Sequence, residues 1–243
     1  MIEAYFAKMQ ALLKDILKNE KDHMEQVSEK IVDSLKEDGV VHLFGAGHSH
    51  MLTEEVFYRA GGLVPVHPIL DTGLMLHEGA VRSSDLERMN GYGEIVMKHQ
   101  DIRPGEVVFV ISNSGRNPVP IEVALAAKEQ GAFVVGLTSL DYSSKQSSRH
   151  KSGKRLFEIV DVVIDNHGVE GDAILKLEAF PVPFAPSSTV AGAAIINAIL
   201  ARAIEHLVNE GIEPPVFLSG NLDGADEHNL KLVNKYKNRI PEL

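Results

Sequence analysis

The 243-residue chain contains no cysteine and no tryptophan, and aromatic residues make up only 6% of it. Without cysteine there can be no disulfide, no thiolate metal site and no cysteine nucleophile, a composition that suits the cytoplasm. The N-terminus lacks the charged, apolar and small-residue succession of a secretory signal. No apolar run is read as approaching the roughly 20 residues that span a bilayer, so no membrane segment is expected. Positive charge is also scarce: 24 Lys and Arg against 34 Asp and Glu leave a net charge of −10. That balance argues against nucleic acid as the main partner. It leaves a phosphorylated small molecule open, because a few local donors outweigh a net charge that salt screens over about 10 Å.

Hydrophobic residues at 44% and charged ones at 24% describe a globular chain long enough for a substantial core. No internal repeat or long linker divides it, so one domain over residues 1–243 is expected. Residues 1–37 place Ile2, Phe6, Met9, Leu13 and Ile16 at helical spacing, and Met24, Val27, Ile31 and Leu35 repeat the pattern. The polar stretch Asn19–Asp22 between them predicts two helices or one bent helix, forming an N-terminal arm. Short β-branched runs then alternate with helical segments. Strands are expected at Val40–Phe44, Leu63–His67, Val108–Ile111, Phe133–Leu137 and Ile159–Ile164. Residues 71–104 carry only scattered helical spacing, and 141–155 read as a polar, locally basic loop. Pro181, Pro183 and Pro186 predict an extended, rigid segment. Ser187–Val208 reads as a long apolar helix, and 215–243 as a polar tail with a helix over Asp226–Lys237. The alternation predicts an α/β fold: a three-layer αβα sandwich around a five-stranded, mainly parallel sheet.

The central strand breaks directly into Ser112-Asn113-Ser114-Gly115-Arg116-Asn117, with a helical pattern starting at once behind it. A buried strand, a polar turn and a helix N-terminus make a ready anion site: free backbone N–H groups, the helix dipole and hydroxyl donors converge there. Neither the Walker nor the Rossmann glycine pattern is present. The S-x-S-G-x-N turn suits a monophosphate held by serines. Two further strands end in hydroxyl-bearing turns, at Ser49 and at Thr138-Ser139, and ligands of open parallel sheets bind beyond such strand ends. Ser112 and Ser114 could instead only cap the helix, and Thr138 and Ser139 could only end a strand. His48 and His50, with Glu54 nearby, raise zinc, but an H-x-H pair without a third ligand supports it weakly. No metal or cofactor is therefore expected, and the histidines are read as sugar contacts.

Gly45-Ala46-Gly47-His48-Ser49, Ile111–Asn117 and the strand ending in Thr138 resemble the sugar isomerase (SIS) fold, a flavodoxin-like phosphosugar-binding domain, over roughly residues 31–214. Val66-His67-Pro68, Lys176–Pro181 and Ala185–Thr189 are similar to stretches of the arabinose-5-phosphate isomerases. The whole also resembles a bacterial SIS family labelled phosphoheptose isomerase. The resemblance implies a phosphosugar ligand held by Ser49, Ser112, Ser114 and Asn117, with His48, Asn113, Thr138 and Ser139 beside them. It implies aldose–ketose isomerisation through a cis-enediol, with Glu178 as an acid/base group. The apolar neighbours Ile174, Leu175, Leu177 and Phe180 would desolvate Glu178, as a general base requires. His228 is a candidate for ring opening, reaching a neighbouring subunit's site, and Glu78 is a third acid/base candidate. The chain departs from the arabinose-5-phosphate isomerases at His48, where they carry lysine, at Pro120, where they carry glutamate, and near Gly220, where they carry histidine. A non-catalytic phosphosugar sensor acting on a partner protein, or a phosphosugar lyase or etherase, are the alternatives. The apolar stripes of the N-terminal helices and of 187–208 predict at least a homodimer.

Overall fold

The computed structural model describes residues 1–243. Its first element, α1 (Ile2–Lys36), is a single 35-residue helix rather than two. The polar stretch that predicted a break continues the helix, because Glu20 is buried and tied to the sheet edge. Its carboxylate lies 3.0 Å from His167 Nε2 and 3.0 Å from His23 Nδ1, and accepts the Asp165 N–H at 3.3 Å. A charged residue on a buried stripe is here a tie, not a terminus.

Five strands follow: β1 (Val41–Gly45), β2 (Val66–Ile69), β3 (Val107–Ile111), β4 (Phe133–Thr138) and β5 (Val162–Asp165). All pair in parallel, in the order β2-β1-β3-β4-β5. Every residue of β1 and β3 is buried, which accounts for their unbroken apolar runs. Pro68 sits within β2, an edge strand, where its missing N–H costs no ladder bond.

Helices α2 (Met51–Val56) and α7 (Ser188–Asn209) join α1 on one face of the sheet, packing against Leu43, Phe109, Leu137 and Ile164. Helices α4 (Tyr92–Met97) and α5 (Pro118–Glu129) cover the other, against Phe44, Val108, Val110 and Val134. The three-layer sandwich is therefore built as the alternation predicts. By length and composition α7 could cross a bilayer. Its Ile195, Ile196, Ile199 and Ala203 are instead buried against the sheet.

Two stretches fold in ways the residue pattern did not convey. Residues 71–104 hold α3 (Ala80–Glu87) as well as α4, and α6 (Leu140–Ser144) lies in the polar loop. The proline-rich segment forms β7 (Phe180–Phe184), which pairs antiparallel with β6 (Leu175–Leu177) in a two-stranded ribbon. Leu177, Phe180 and Val182 on this hairpin are exposed.

The tail is not merely polar. Helix α8 (Ala225–Tyr236) and Ile240 pack with Val40, Val64 and Phe217 beneath the N-terminal edge of the sheet. Beside them lies a buried polar network. His42 Nδ1 is 2.9 Å from His67 Nδ1, and His42 Nε2 is 2.9 Å from Glu106 Oε2. Glu106 also accepts the N–H groups of Val40 at 3.0 Å and Arg103 at 2.8 Å, and Arg239 Nη2 at 2.8 Å.

Candidate functional site

The parallel register sets Gly45 beside Ile111, Ile111 beside Leu137, and Thr138 beside Asp165. The segments that follow β1, β3, β4 and β5 therefore leave the sheet side by side at its C-terminal edge. Close approach of the first two depends on glycine. A Cβ on Gly45 would come within 2.5 Å of the Ser49 backbone, and Gly115, at φ +57°, would bring one within 2.8 Å of Ser143 Oγ. Only glycine fits either place.

Between these segments is a small cleft lined by His48, Ser49, Asn113, Asn166, Ser188 and Thr189. His48 is exposed and Ser49 half-buried on the turn that follows β1. Neither side chain hydrogen-bonds the protein, nor does that of half-buried Ser114. Asn113 Oδ1 accepts Asn166 Nδ2 at 2.8 Å, which leaves the Asn113 amide N–H groups free. Ser112 is buried, and its Oγ accepts the Gly115 N–H at 3.3 Å, holding the turn's shape. The Asn117 side chain does not cap α5; its Oδ1 accepts Arg149 Nη1 at 2.8 Å.

Thr138 and Ser139 are fully buried and their hydroxyls are engaged. Thr138 Oγ1 donates to the Asn113 carbonyl at 3.1 Å. Ser139 Oγ donates to the Gly168 carbonyl and accepts the Tyr142 N–H at 3.1 Å, capping α6. Both brace the neighbouring turns rather than face the cleft. His50 is buried with Nδ1 on the Gly47 carbonyl, and no group of three metal-ligating side chains assembles around it.

The acid/base candidates are dispersed. Glu78 lies exposed past the C-terminal end of β2 and pairs with Arg82 at 3.0 Å, on the same edge as Ser49. Glu178 occupies the exposed turn of the β6–β7 hairpin, so within one chain its apolar neighbours do not enclose it. The desolvation expected of it is absent there, because the hairpin projects its side chains outward. His228 is on α8, with Nε2 2.9 Å from the Val216 carbonyl. Val216 bridges to Leu63, ahead of β2, which puts His228 at the opposite end of the sheet from the cleft of its own chain.

Three cleft residues escaped the sequence. Asn166 directly follows β5, so the rule that singled out Ser112, a polar residue leaving a buried strand, would also have found it. Ser188 and Thr189 open α7, and only tertiary packing brings that helix start to the sheet edge. Asp172 fixes it by accepting from the Ser187 and Ser188 N–H groups at 2.9 Å each.

A family model described as SIS domain matches residues 4–139. A UPF0309 protein of Geobacillus kaustophilus is 60% identical over 243 residues, covering 100% of this chain and 97% of that protein. One from Listeria innocua is 57% identical, covering 100% and 98%. Among solved structures, a phosphoheptose isomerase from Neisseria gonorrhoeae has a TM-score of 0.54 at 18% identity, over 84% of this chain and 97% of that one. Another from Francisella tularensis has a TM-score of 0.55 at 14% identity, over 84% and 96%. These structures share the fold.

Proposed function

The chain belongs to the SIS-domain family and is one of the UPF0309 proteins, and from that premise we propose that it binds a phosphorylated sugar and interconverts its aldose and ketose forms. The observation that carries this reading is a set of donors without protein partners at the C-terminal sheet edge: Ser49, Ser114 and the Asn113 amide. They adjoin the N-terminus of α5, where the helix dipole favours a phosphate. The enclosed space is about 20 Å³, the volume of roughly one water probe. The sugar therefore lies outside it, across exposed His48 and Ser49, with its phosphate at the turns.

Isomerisation needs a base that takes the proton from the carbon beside the carbonyl and returns one to the adjacent carbon through a cis-enediol. Phosphate binding positions those carbons. Glu178 is the favoured base and Glu78 the second candidate. The functional unit in this reading is a homodimer. A second copy covering Leu177, Phe180 and Val182 would desolvate Glu178 and could bring His228 to the partner's cleft. Exposure of Glu178 in the single chain favours one other reading, a phosphosugar sensor that binds without turnover.

Proton NMR of a panel of sugar phosphates in D₂O tests the choice. Isomerase chemistry exchanges the proton beside the carbonyl for deuterium in the presence of one sugar. Glu178→Gln abolishes the exchange and leaves the dissociation constant within about twofold. Binding without exchange by the unaltered protein moves the assignment to the sensor. Exchange that survives in Glu178→Gln removes Glu178 as the base.

A further inference from the structure

Arginines in this chain divide into two groups. Arg59, Arg82, Arg103, Arg155, Arg202 and Arg239 each have a carboxylate within ion-pair distance. Arg88, Arg116 and Arg149 have none, although the net charge is −10. The segments that carry them adjoin: Asn90 Oδ1, two residues past Arg88, accepts the Lys151 N–H, two residues past Arg149, at 2.9 Å. The Arg149 N–H donates to the Arg116 carbonyl at 2.8 Å, and Arg149 Nη1 donates to Asn117 Oδ1 at 2.8 Å. Burial, and then the positive charges of Arg116 and Arg88, lower the pKa of Arg149. Arg116 donates only to neutral acceptors, the Ser147 carbonyl at 2.9 Å and Gln146 Oε1 at 3.0 Å among them. Arg88, at the C-terminal end of α3, makes no hydrogen bond through its side chain. Glu87 is the carboxylate that senses this group. Burial pushes its pKa up, opposed by a hydrogen bond from Asn117 and by the positive charges of Arg88 and Arg149, neither of which comes within ion-pair distance.

One half-buried carboxylate, Glu87, set against three guanidinium groups leaves the cluster with net positive charge, which an external anion would meet. Their place narrows the anion's identity. Arg116 and Asn117 belong to the same turn as Ser114 and Asn113, and Asn113 lines the cleft. Asn117 lies four positions beyond Asn113, a reach of at most about 14 Å. A five- to seven-carbon sugar with an acidic group at each end can bridge such a span. We propose that Arg88, Arg116 and Arg149 form a subsite for a second acidic group, phosphate or carboxylate, on the sugar phosphate held at the sheet edge. The proposal rests on the phosphosugar-binding part of that reading; a sugar acidic at both ends has no free C1 to become an aldehyde, so a preference for it sides with the sensor over the isomerase.

Isothermal titration of the full chain with fructose 6-phosphate, fructose 1,6-bisphosphate and 6-phosphogluconate tests this. The two doubly acidic sugars bind about tenfold tighter than the monophosphate, as one or two added charge-assisted hydrogen bonds provide. Their ranking tells phosphate from carboxylate. Arg88→Gln and Arg149→Gln each remove most of that advantage and change fructose 6-phosphate affinity by less than about twofold. Arg88→Gln breaks no hydrogen bond, so loss of folding does not obscure the result. A loss shared equally by all the ligands assigns the arginines to the single phosphate or to the loop's fold, and overturns the subsite. Equal affinities in the unaltered protein overturn it too, while leaving the phosphosugar reading intact. Binding of none of these ligands also overturns it, since charge rather than sugar identity drives the subsite; the wider D₂O panel then judges the parent reading separately.

Discussion

The two ends of one parallel sheet treat polar side chains in opposite ways. At the N-terminal edge, His42, His67 and Glu106 are buried, and all four hydrogen bonds to the Glu106 carboxylate come from groups of the protein itself. At the C-terminal edge, Ser49, Ser114 and the Asn113 amide keep donors unspent. Cavity size points the other way. The cavity at the N-terminal edge is about 600 Å³ and the cleft at the C-terminal edge about 20 Å³. Most charged groups around the large cavity are matched, Lys30 to Asp33, Lys128 to Asp161 and Arg239 to Glu106, while Glu37 has no ion pair and the buried Ser34 Oγ no hydrogen-bond partner. The donors beside a helix N-terminus, rather than volume, carry the proposed reading, because they and the helix dipole converge where an anion can sit. The buried Glu106 network holds the fold, and the proposed ligand would use the donors left over at the other edge.

Breaking the saturated end gives the largest effect. Glu106→Ala leaves the Val40 and Arg103 N–H groups, His42 and Arg239 without their acceptor in a buried place. Urea unfolding is expected to show a loss of about 3–5 kcal/mol, the scale for removing one partner of a buried charged network. A loss below about 1 kcal/mol would show that water replaces the carboxylate and that this edge is not closed.

The same network sets a dependence on pH. Burial first, and then the neighbouring His42 and Arg239, lower the pKa of His67 from 6.5 to about 3. Between those values the unfolded chain binds a proton that the folded chain refuses, so stability falls as pH falls below 6.5. Glu106, lowered from 4.5 to about 2 by its hydrogen bonds from His42, Arg103 and Arg239 against the opposing effect of burial, acts in the same direction, but only below pH 4.5. The window from pH 6.5 to 4.5 therefore separates the histidines from Glu106. There, stability drops by roughly 2–3 kcal/mol from His67, and His67→Gln flattens that part of the profile. His150, also pushed down by burial, keeps a residual slope in the variant. An unchanged slope would place the titration elsewhere.

How legible each edge was in the sequence follows from the same contrast. The open edge could be read because a continuous apolar run that breaks into hydroxyls and glycine is a local signal, complete within Val108–Asn117. The closed edge could not. His42 and His67 lie on different strands, Glu106 precedes a third, and Arg239 comes from the tail, so nothing in their spacing announces a network. The β6–β7 hairpin was hidden for another reason. Pro181 and Pro183 argue against a strand in general, yet a two-stranded ribbon has free edges on which a missing N–H costs little. Glu178 was legible by residue type but not by environment, because a hairpin's exposure is set by what it packs on.

The finest test of the contrast uses two serines at the same edge of the sheet. Ser139 Oγ both donates to Gly168 and accepts from Tyr142, so Ser139→Ala removes a helix cap and a buried hydrogen bond. A loss of about 1–2 kcal/mol in unfolding free energy is expected, even without ligand. Ser49 Oγ has no protein partner, so Ser49→Ala leaves unfolding within about 0.5 kcal/mol. It instead weakens the bound sugar phosphate by about tenfold, the worth of one hydrogen bond to a charged group. The ligand comparison must be made by titration, because a thermal shift mixes affinity with stability. If Ser49→Ala proves as destabilising as Ser139→Ala, its hydroxyl belongs to the fold, and the distinction between spent and unspent donors fails at the residue where it is drawn most sharply.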